Sequence, residues 1–258
     1  MTSTISVQRR KDIAIVTLER PERRNAVDGA TAQALFDAFT ALDADPTVNV
    51  SILTGRGEHF CAGADLKALA GGEGANPVLR TGPKGPMGPT RMRTEKPVIA
   101  AIEGFAVAGG LELALWADLR VAARDAVLGV FCRRFGVPLI DGGTIRLPRL
   151  IGHSRAMDLM LTGRPVDAEE ALSFGLINRI APKGQALDMA LELATQIEAF
   201  PQICLRNDRR SAIGQWSQDW DDALTTETAL GLETLRSGEA VAGAKRFASG
   251  QGKHGQFD

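Results

Sequence analysis

Apolar and polar residues alternate along the first part of the chain. Ile5 and Val7 share one face, and Ile13 and Ile15 continue the pattern after the polar segment RRKD. Two alternating runs on either side of a short polar segment are typical of a β-hairpin, because successive side chains of a strand point to opposite faces. The chain is therefore predicted to begin with two paired strands.

The apolar spacing then changes to the period of a helix. Within TAQALFDAFTALDAD, apolar residues recur every three or four positions, and Asp28 precedes this segment as a candidate N-cap. Further apolar strands and helices then alternate. They are the strand NVSILTG, a short helix that begins within residues 64–70, the strand KPVIAAIEG, the helix GGLELALWAD and the strand pair LRVAARDAVLG. Such alternation indicates an α/β architecture built of stacked layers.

The second half of the chain is predicted to be mostly helical. The segment INRIAP interrupts it as a strand, and GQALDMALELATQIEAF is its strongest amphipathic helix. Residues 71–90 differ from both halves, since they hold six glycines and four prolines. This composition predicts a surface loop within one domain.

Composition excludes some classes of function. The 258 residues include 30 basic and 31 acidic side chains, so the net charge favours neither nucleic acid nor a membrane as partner. Cys61, Cys132 and Cys204 are irregularly spaced, which indicates neither a disulfide framework nor a metal site. No apolar run predicts a signal peptide or a membrane span. A cytoplasmic protein is therefore expected.

Two glycine-containing turns carry the candidate chemistry. GRGEHFCAGADL (55–66) and GFAVAGGLELAL (104–115) each follow a predicted strand and open a helix. The first turn lacks the third glycine of a dinucleotide fingerprint and the Lys-Ser/Thr of a P-loop. Backbone N–H groups at two such helix starts could surround one oxygen as an oxyanion hole. Glu112, in the second helix, either complements the helix dipole or acts as acid or base beside the hole.

Four segments in this order give the chain a family resemblance: RPERRNAVD, GEHFCAGADL, EGFAVAGGLELALWADLRVA and LTGRPVDAEEALSFGLINRI. The chain resembles the crotonase superfamily, also called the enoyl-CoA hydratase/isomerase family, over almost its whole length. The resemblance implies a spiral of β-β-α units in residues 1–195 and a helical trimerisation region in residues 196–258. It also implies acyl-CoA substrates, a homotrimer or dimer of trimers, and no separate cofactor, because CoA is part of the substrate.

The resemblance further assigns roles to single residues. The positions of the family's two oxyanion donors fall on the backbone N–H groups of Ala64 and Gly109, and one catalytic glutamate falls on Glu112. The residues that match the family's CoA-holding positions are Arg24, Ala26, Ala62, Asp65 and Leu66. The guanidinium groups of Arg23 and Arg24 also suit the phosphates of CoA, or are simply solvated.

One segment, VFCRRFGVPLIDGG (130–143), departs from the pattern of the family's hydratases. The position of the second catalytic glutamate of those hydratases falls on Cys132. This cysteine is either a small buried residue or a nucleophile. The nearest acid after it is Asp141. Asp141 is either a helix N-cap or an active-site acid like the aspartate of the family's naphthoyl-CoA synthases. Hydration of 2-enoyl-CoA is the default expectation. Isomerisation, decarboxylation or carbon–carbon hydrolysis with one carboxylate, and acyl-CoA binding without catalysis, remain alternatives.

Overall fold

The computed structural model describes residues 3–72 and 74–252 of the chain. The strands in this part are β1 (Ile5–Arg10), β2 (Ile13–Leu18), β3 (Val50–Gly55), β4 (Val98–Ile102), β5 (Phe105–Val107), β6 (Leu119–Ala123), β7 (Val127–Gly129), β8 (Val166–Asp167) and β9 (Arg179–Ala181). The α-helices are α1 (Gly29–Ala44), α2 (Leu66–Gly71), α3 (Gly109–Trp116), α4 (Gly143–Ile151), α5 (His153–Thr162), α6 (Ala168–Phe174), α7 (Ala186–Glu198), α8 (Gln202–Gly214), α9 (Trp220–Ser237) and α10 (Glu239–Ala248).

The strands form two sheets. The larger sheet has the order β1-β2-β3-β4-β6-β9, in which β1 and β2 are antiparallel and the other pairs are parallel. The smaller sheet has the order β5-β7-β8. The predicted N-terminal hairpin and the α/β architecture are both confirmed.

The larger sheet is covered on both faces, so its central strands are almost wholly apolar. Ala14 and Val16 of β2 point into the main core with α1 and α3, whereas Ile13 and Ile15 point to the opposite face. There α7 packs its alanine-rich side against the sheet. The amphipathic pattern of the predicted helix at 184–200 is therefore used to close this second face.

Local capping sets where α1 begins. The carboxylate of Asp28 accepts hydrogen bonds from the backbone N–H of Thr31 at 2.9 Å and from its hydroxyl at 2.8 Å. Such a cap satisfies donors that have no partner within the helix. The N-cap predicted from the sequence is thus confirmed.

Two compact units divide the chain, at residues 1–197 and 198–258. In the second unit, the carboxylate of Glu239 accepts hydrogen bonds from the N–H groups of Ile203 and Cys204 at the start of α8. The buried Asn207 of α8 donates to the carbonyl of Leu230 in α9 at 3.2 Å. Among the described residues, no helix is long and apolar enough to cross a bilayer.

Candidate active site

The two glycine-containing turns lie in direct contact. Cys61 forms a parallel bridge with Ala106, and the N–H of Val107 donates to the Cys61 carbonyl at 3.1 Å. A Cβ on Gly63 would lie 2.9 Å from the Ala108 methyl and 3.0 Å from the Gly109 nitrogen, which is too close for a side chain. Gly63 therefore allows the two turns to touch at the point where both helices start.

The two residues that carry the predicted oxyanion donors line the same cavity. Ala64 and Gly109 are lining residues of this cavity, which has a volume of about 240 Å³. Within residues 3–72 and 74–252, the structure records no acceptor for the N–H of either residue. Two unpaired N–H groups beside one cavity are the arrangement needed to hold a carbonyl oxygen as it gains charge.

Ala108, which precedes the donor Gly109, has a strained backbone. Its φ of 54° and ψ of −126° lie in a region that residues with a Cβ rarely adopt. Its N–H donates to the Gly129 carbonyl at 2.9 Å, and its own carbonyl accepts from the Glu112 N–H at 3.2 Å. The surrounding hydrogen bonds thus hold the strained conformation that starts α3 beside the cavity.

We expect that replacing Ala108 with glycine raises the free energy of unfolding by about 1 kcal/mol, because relief of strain outweighs the entropy of glycine. Denaturant titration measures the change. Ala106→Gly is the matched control, since Ala106 lies two residues away in β5 with no positive φ. In this control, the free energy of unfolding should fall by about 1 kcal/mol. Destabilisation of both variants would show that Ala108 is not strained.

Glu112 lies one turn beyond Gly109 on α3 and lines the cavity. Its Oε1 accepts hydrogen bonds from the N–H of Asp141 at 2.9 Å and from that of Gly143 at 2.8 Å. Burial, followed by the nearby charge of Asp141, raises the pKa of Glu112 from 4.5 to about 7. The side chain is therefore held in place by one oxygen and can exchange a proton near neutral pH.

Asp141 lies beside Glu112 but does not cap a helix. The N-cap of α4 is Gly142, and the Asp141 carboxylate accepts no hydrogen bond from the start of that helix, so the N-cap interpretation of Asp141 is wrong. Instead, Asp141 Oδ1 accepts hydrogen bonds from the Met87 N–H at 2.9 Å and from the Thr90 hydroxyl. Burial raises the pKa of Asp141, whereas these two hydrogen bonds oppose the rise.

Thr90 and Arg146 are site residues that the sequence reasoning missed. The Arg146 guanidinium donates to the Asp141 carbonyl at 2.9 Å and to the Thr90 carbonyl at 2.7 Å. It thereby connects the residue 85–91 segment to the start of α4. No local motif marks Thr90, because its partner Asp141 lies 51 positions away in the chain.

Cys132 lies in the wall of the same cavity, within the 3₁₀ helix Phe131–Phe135. Burial and the neighbouring charge of Glu112 both raise the pKa of the Cys132 thiol. A nucleophilic cysteine needs the opposite, a lowered pKa that populates the thiolate. The environment therefore favours a small buried side chain over a nucleophile at this position.

The five residues matched to CoA binding lie on two adjoining segments. The N–H of Ala62 donates to the Arg24 carbonyl at 3.0 Å, and the N–H of Asp65 donates to the Val27 carbonyl at 2.9 Å. Ala62 and Leu66 also line the cavity, whereas Arg24, Ala26 and Asp65 do not. The Arg24 guanidinium lies over the Phe105 ring, 5.7 Å from its centroid, and is exposed to solvent.

The Asp65 carboxylate is used within the protein. It caps α2 by accepting from the Lys67 and Ala68 N–H groups, and it pairs with Arg20 at 2.9 Å. Arg20 also pairs with Asp28 at 3.0 Å, so one guanidinium joins the N-caps of α1 and α2. A ligand contact at Asp65 would therefore involve its backbone.

A larger cleft of about 380 Å³ lies at the carboxyl ends of β2, β3 and β4. Its rim contains the Lys183–Asp125 ion pair, with 2.8 Å between nitrogen and oxygen. None of the predicted site residues lines it. The smaller cavity, with its two carboxylates and two unpaired N–H groups, is therefore the candidate active site.

Comparison with known proteins agrees with the geometry. The family profile described as enoyl-CoA hydratase/isomerase matches residues 8–251. The enoyl-CoA hydratase EchA19 of Mycobacterium tuberculosis is 37% identical over 249 residues, which cover 94% of this chain and 92% of that protein. The carnitinyl-CoA dehydratase of Salmonella paratyphi A is 41% identical over 199 residues, covering 76% and 75%. The crystal structure of enoyl-CoA hydratase EchA1 from Mycobacterium marinum superposes with a TM-score of 0.90, at 40% identity and 96% coverage of both chains.

Proposed function

The chain belongs to the enoyl-CoA hydratase/isomerase family, and from this premise we propose that it hydrates 2-enoyl-CoA thioesters with Glu112 and Asp141 as its two carboxylates. It is an enzyme of the enoyl-CoA hydratase/isomerase type that acts on acyl-CoA. It has the expected crotonase fold, an α/β core followed by C-terminal helices. The observation that carries the proposal is the pairing of the buried Glu112 and Asp141 in one cavity beside two unpaired N–H groups.

The proposed reaction uses each group once. The Glu112 carboxylate takes a proton from water while the water oxygen bonds to the β-carbon. The π electrons move toward the thioester, whose oxygen becomes an enolate held by the Ala64 and Gly109 N–H groups. The α-carbon then takes a proton from Asp141. Removing one oxyanion donor typically costs roughly 2.7–4 kcal/mol of transition-state stabilisation.

Burial raises the pKa of both carboxylates. A Glu112 pKa of about 7 gives a base that works near neutral pH. The rise in the pKa of Asp141 is opposed by the hydrogen bonds from Thr90 and Met87, so its role as proton donor is part of the proposal. Each carboxylate is held through one oxygen, Oε1 or Oδ1, and no donor in the described part of the chain is recorded for the other oxygen.

The remaining assignments belong to the same proposal. Arg24, Ala26, Ala62, Asp65 and Leu66 would hold the CoA moiety of the substrate, and no separate cofactor takes part. Relatives named enoyl-CoA hydratase and carnitinyl-CoA dehydratase support addition or removal of water as the reaction class. A reducing cytoplasm is proposed as the location of the protein, since the three cysteines are too irregularly spaced to indicate a disulfide framework. A homotrimer or dimer of trimers is proposed as the assembly.

Isomerisation of the double bond is the second candidate. Cys132 stands where the resemblance puts the hydratases' second glutamate, and Asp141 is engaged by Met87 and Thr90. If Asp141 only holds that segment, Glu112 is left as a single carboxylate, which is sufficient to move a proton between carbons.

Isotope labelling distinguishes these reactions. Crotonyl-CoA and 3-hexenoyl-CoA are each incubated with the enzyme in heavy-oxygen water, and the products are analysed by mass spectrometry. Hydration incorporates labelled oxygen into the product of crotonyl-CoA. Conversion of 3-hexenoyl-CoA to the 2-enoyl isomer, with no label in either product, would contradict the proposal and assign isomerisation.

A further inference from the structure

Met87 is a fully buried methionine that lies against the oxyanion donor Gly109. A Cβ on Gly109 would lie 2.7 Å from Met87 Sδ, 3.0 Å from Cγ and 3.1 Å from Cε. The thioether chain therefore runs directly across the Gly109 Cα. Met87 is 1% exposed and also lines the cavity.

The backbone around Met87 is fixed, so the side chain is not free to withdraw with its loop. The N–H groups of Gly85 and Gly88 donate to each other's carbonyls at 2.8 and 2.9 Å, which closes a tight turn. Gly88 has a φ of 91°, and a Cβ there would lie 2.6 Å from the Ala32 carbonyl of α1. The Met87 N–H itself is held by Asp141.

The position of the thioester follows from the proposed donors. A carbonyl oxygen bound to the Gly109 N–H lies about 3 Å from that nitrogen. The α-carbon, which is bonded to the same carbonyl carbon as this oxygen, would then lie in the cavity that Gly109 and Glu112 both line. Because Met87 lies across the Gly109 Cα and lines the same cavity, its thioether would lie beside this α-carbon.

We propose that Met87 determines substrate specificity by excluding acyl groups that carry a branch on the α-carbon. The inference rests on the proposed function, since it uses the Ala64 and Gly109 N–H groups to position the thioester. A methyl branch on the α-carbon would occupy the space of the Met87 side chain. Met87→Ala removes Cγ, Sδ and Cε and opens that space.

The test compares kcat/KM for crotonyl-CoA with that for 2-methylcrotonyl-CoA. The preference for the unbranched substrate is the kcat/KM for crotonyl-CoA divided by that for 2-methylcrotonyl-CoA. This ratio should fall by roughly tenfold or more in Met87→Ala, because one methyl group in a pocket changes discrimination by about 10- to 200-fold. Any intrinsic difference in reactivity between the substrates cancels when two enzymes are compared. Met92→Ala is the matched control, since Met92 packs against the main core and does not line the cavity. Its ratio should equal that of the wild type, and an equal ratio in all three proteins would overturn the proposal.

A binding measurement separates this inference from the proposed reaction and does not depend on the stability of a variant. Calorimetric titration compares butyryl-CoA with 2-methylbutyryl-CoA on the wild-type enzyme. We expect the unbranched thioester to bind roughly tenfold or more tightly. Equal affinity would overturn the role of Met87 even if crotonyl-CoA is hydrated. If crotonyl-CoA does not react but butyryl-CoA binds more tightly than 2-methylbutyryl-CoA, only the proposed reaction is rejected. If neither thioester binds, the proposed reaction and the role of Met87 are both overturned.

Discussion

Replacing Glu112 with glutamine lowers kcat by roughly 10²- to 10⁴-fold, the range expected for loss of a positioned acid–base group. Glutamine keeps an oxygen that can accept from the Asp141 and Gly143 N–H groups, so the cavity should retain its shape. What it loses is the ability to take a proton from water. Steady-state hydration of crotonyl-CoA, followed by absorbance, measures the effect.

The matched control for this substitution is Glu103→Gln. Glu103 also accepts two backbone hydrogen bonds, from the Gly184 and Ala186 N–H groups, but it lines the other cleft. We expect kcat to change by less than about twofold in this variant, because the carboxylate is remote from the proposed reacting atoms. Equal losses in both variants would point to a general structural effect and against Glu112 as the base.

The pH dependence gives an independent readout for Glu112. If its carboxylate is the base, kcat/KM of the wild type rises with pH through about 7, and the residual rate of Glu112→Gln lacks this step. Stability should change in the opposite direction. The pKa of Glu112 is raised on folding, so its contribution to stability is complete below about pH 4.5 and declines as the pH rises to about 7. Relative to Glu112→Gln, the wild type should lose at most roughly 3 kcal/mol over this interval, since one pKa unit corresponds to about 1.4 kcal/mol.

Replacing Asp141 with asparagine should lower kcat by roughly 10²-fold or more if Asp141 donates the proton to the α-carbon. The asparagine oxygen can still accept from the Met87 N–H and the Thr90 hydroxyl, so the residue 85–91 segment should keep its anchor. The substitution therefore removes the proton donor and keeps the structural role. Crotonyl-CoA hydration measures the loss of the proton donor, and far-ultraviolet circular dichroism checks that the fold is kept.

Thr90→Val is the converse substitution and serves as the comparison for Asp141. It deletes the hydroxyl that donates to Asp141 but keeps the carboxyl group and the approximate side-chain volume. We expect a smaller fall in kcat, roughly tenfold, from looser positioning. A fall in kcat for Asp141→Asn that is no larger than the fall for Thr90→Val would mean that Asp141 acts only as an anchor, which would favour the single-carboxylate isomerase.

Local features of the fold were predictable from the sequence. The hairpin of β1 and β2 and the N-cap at Asp28 each depend on residues a few positions apart. The same holds for the two turns that present Ala64 and Gly109, since small residues between a strand and a helix mark them. Helical spacing likewise placed Glu112 one turn after Gly109, on the helix that starts beside the cavity.

Contacts between distant segments were not predictable in this way. Asp141 looked like a helix cap because glycines follow it, but its carboxylate is engaged by Met87 and Thr90, 54 and 51 positions away. Arg20 joins two helix N-caps for a similar reason, since Asp65 lies 45 positions from it. No periodicity or capping rule encodes such pairs.

The sequence by itself determined the family, the α/β layers and the backbone turns of the site, because these follow from local spacing and from motifs in a fixed order. Only the tertiary structure decided the surroundings of each group: the burial that raises the pKa of Glu112, the partners of Asp141 and the position of Met87 across Gly109. The physical reason is that burial, strain and electrostatic coupling depend on which distant segments pack together. The VFCRRFGVPLIDGG segment obtains its chemistry from residues 85–91 and from Glu112, to which only the fold connects it.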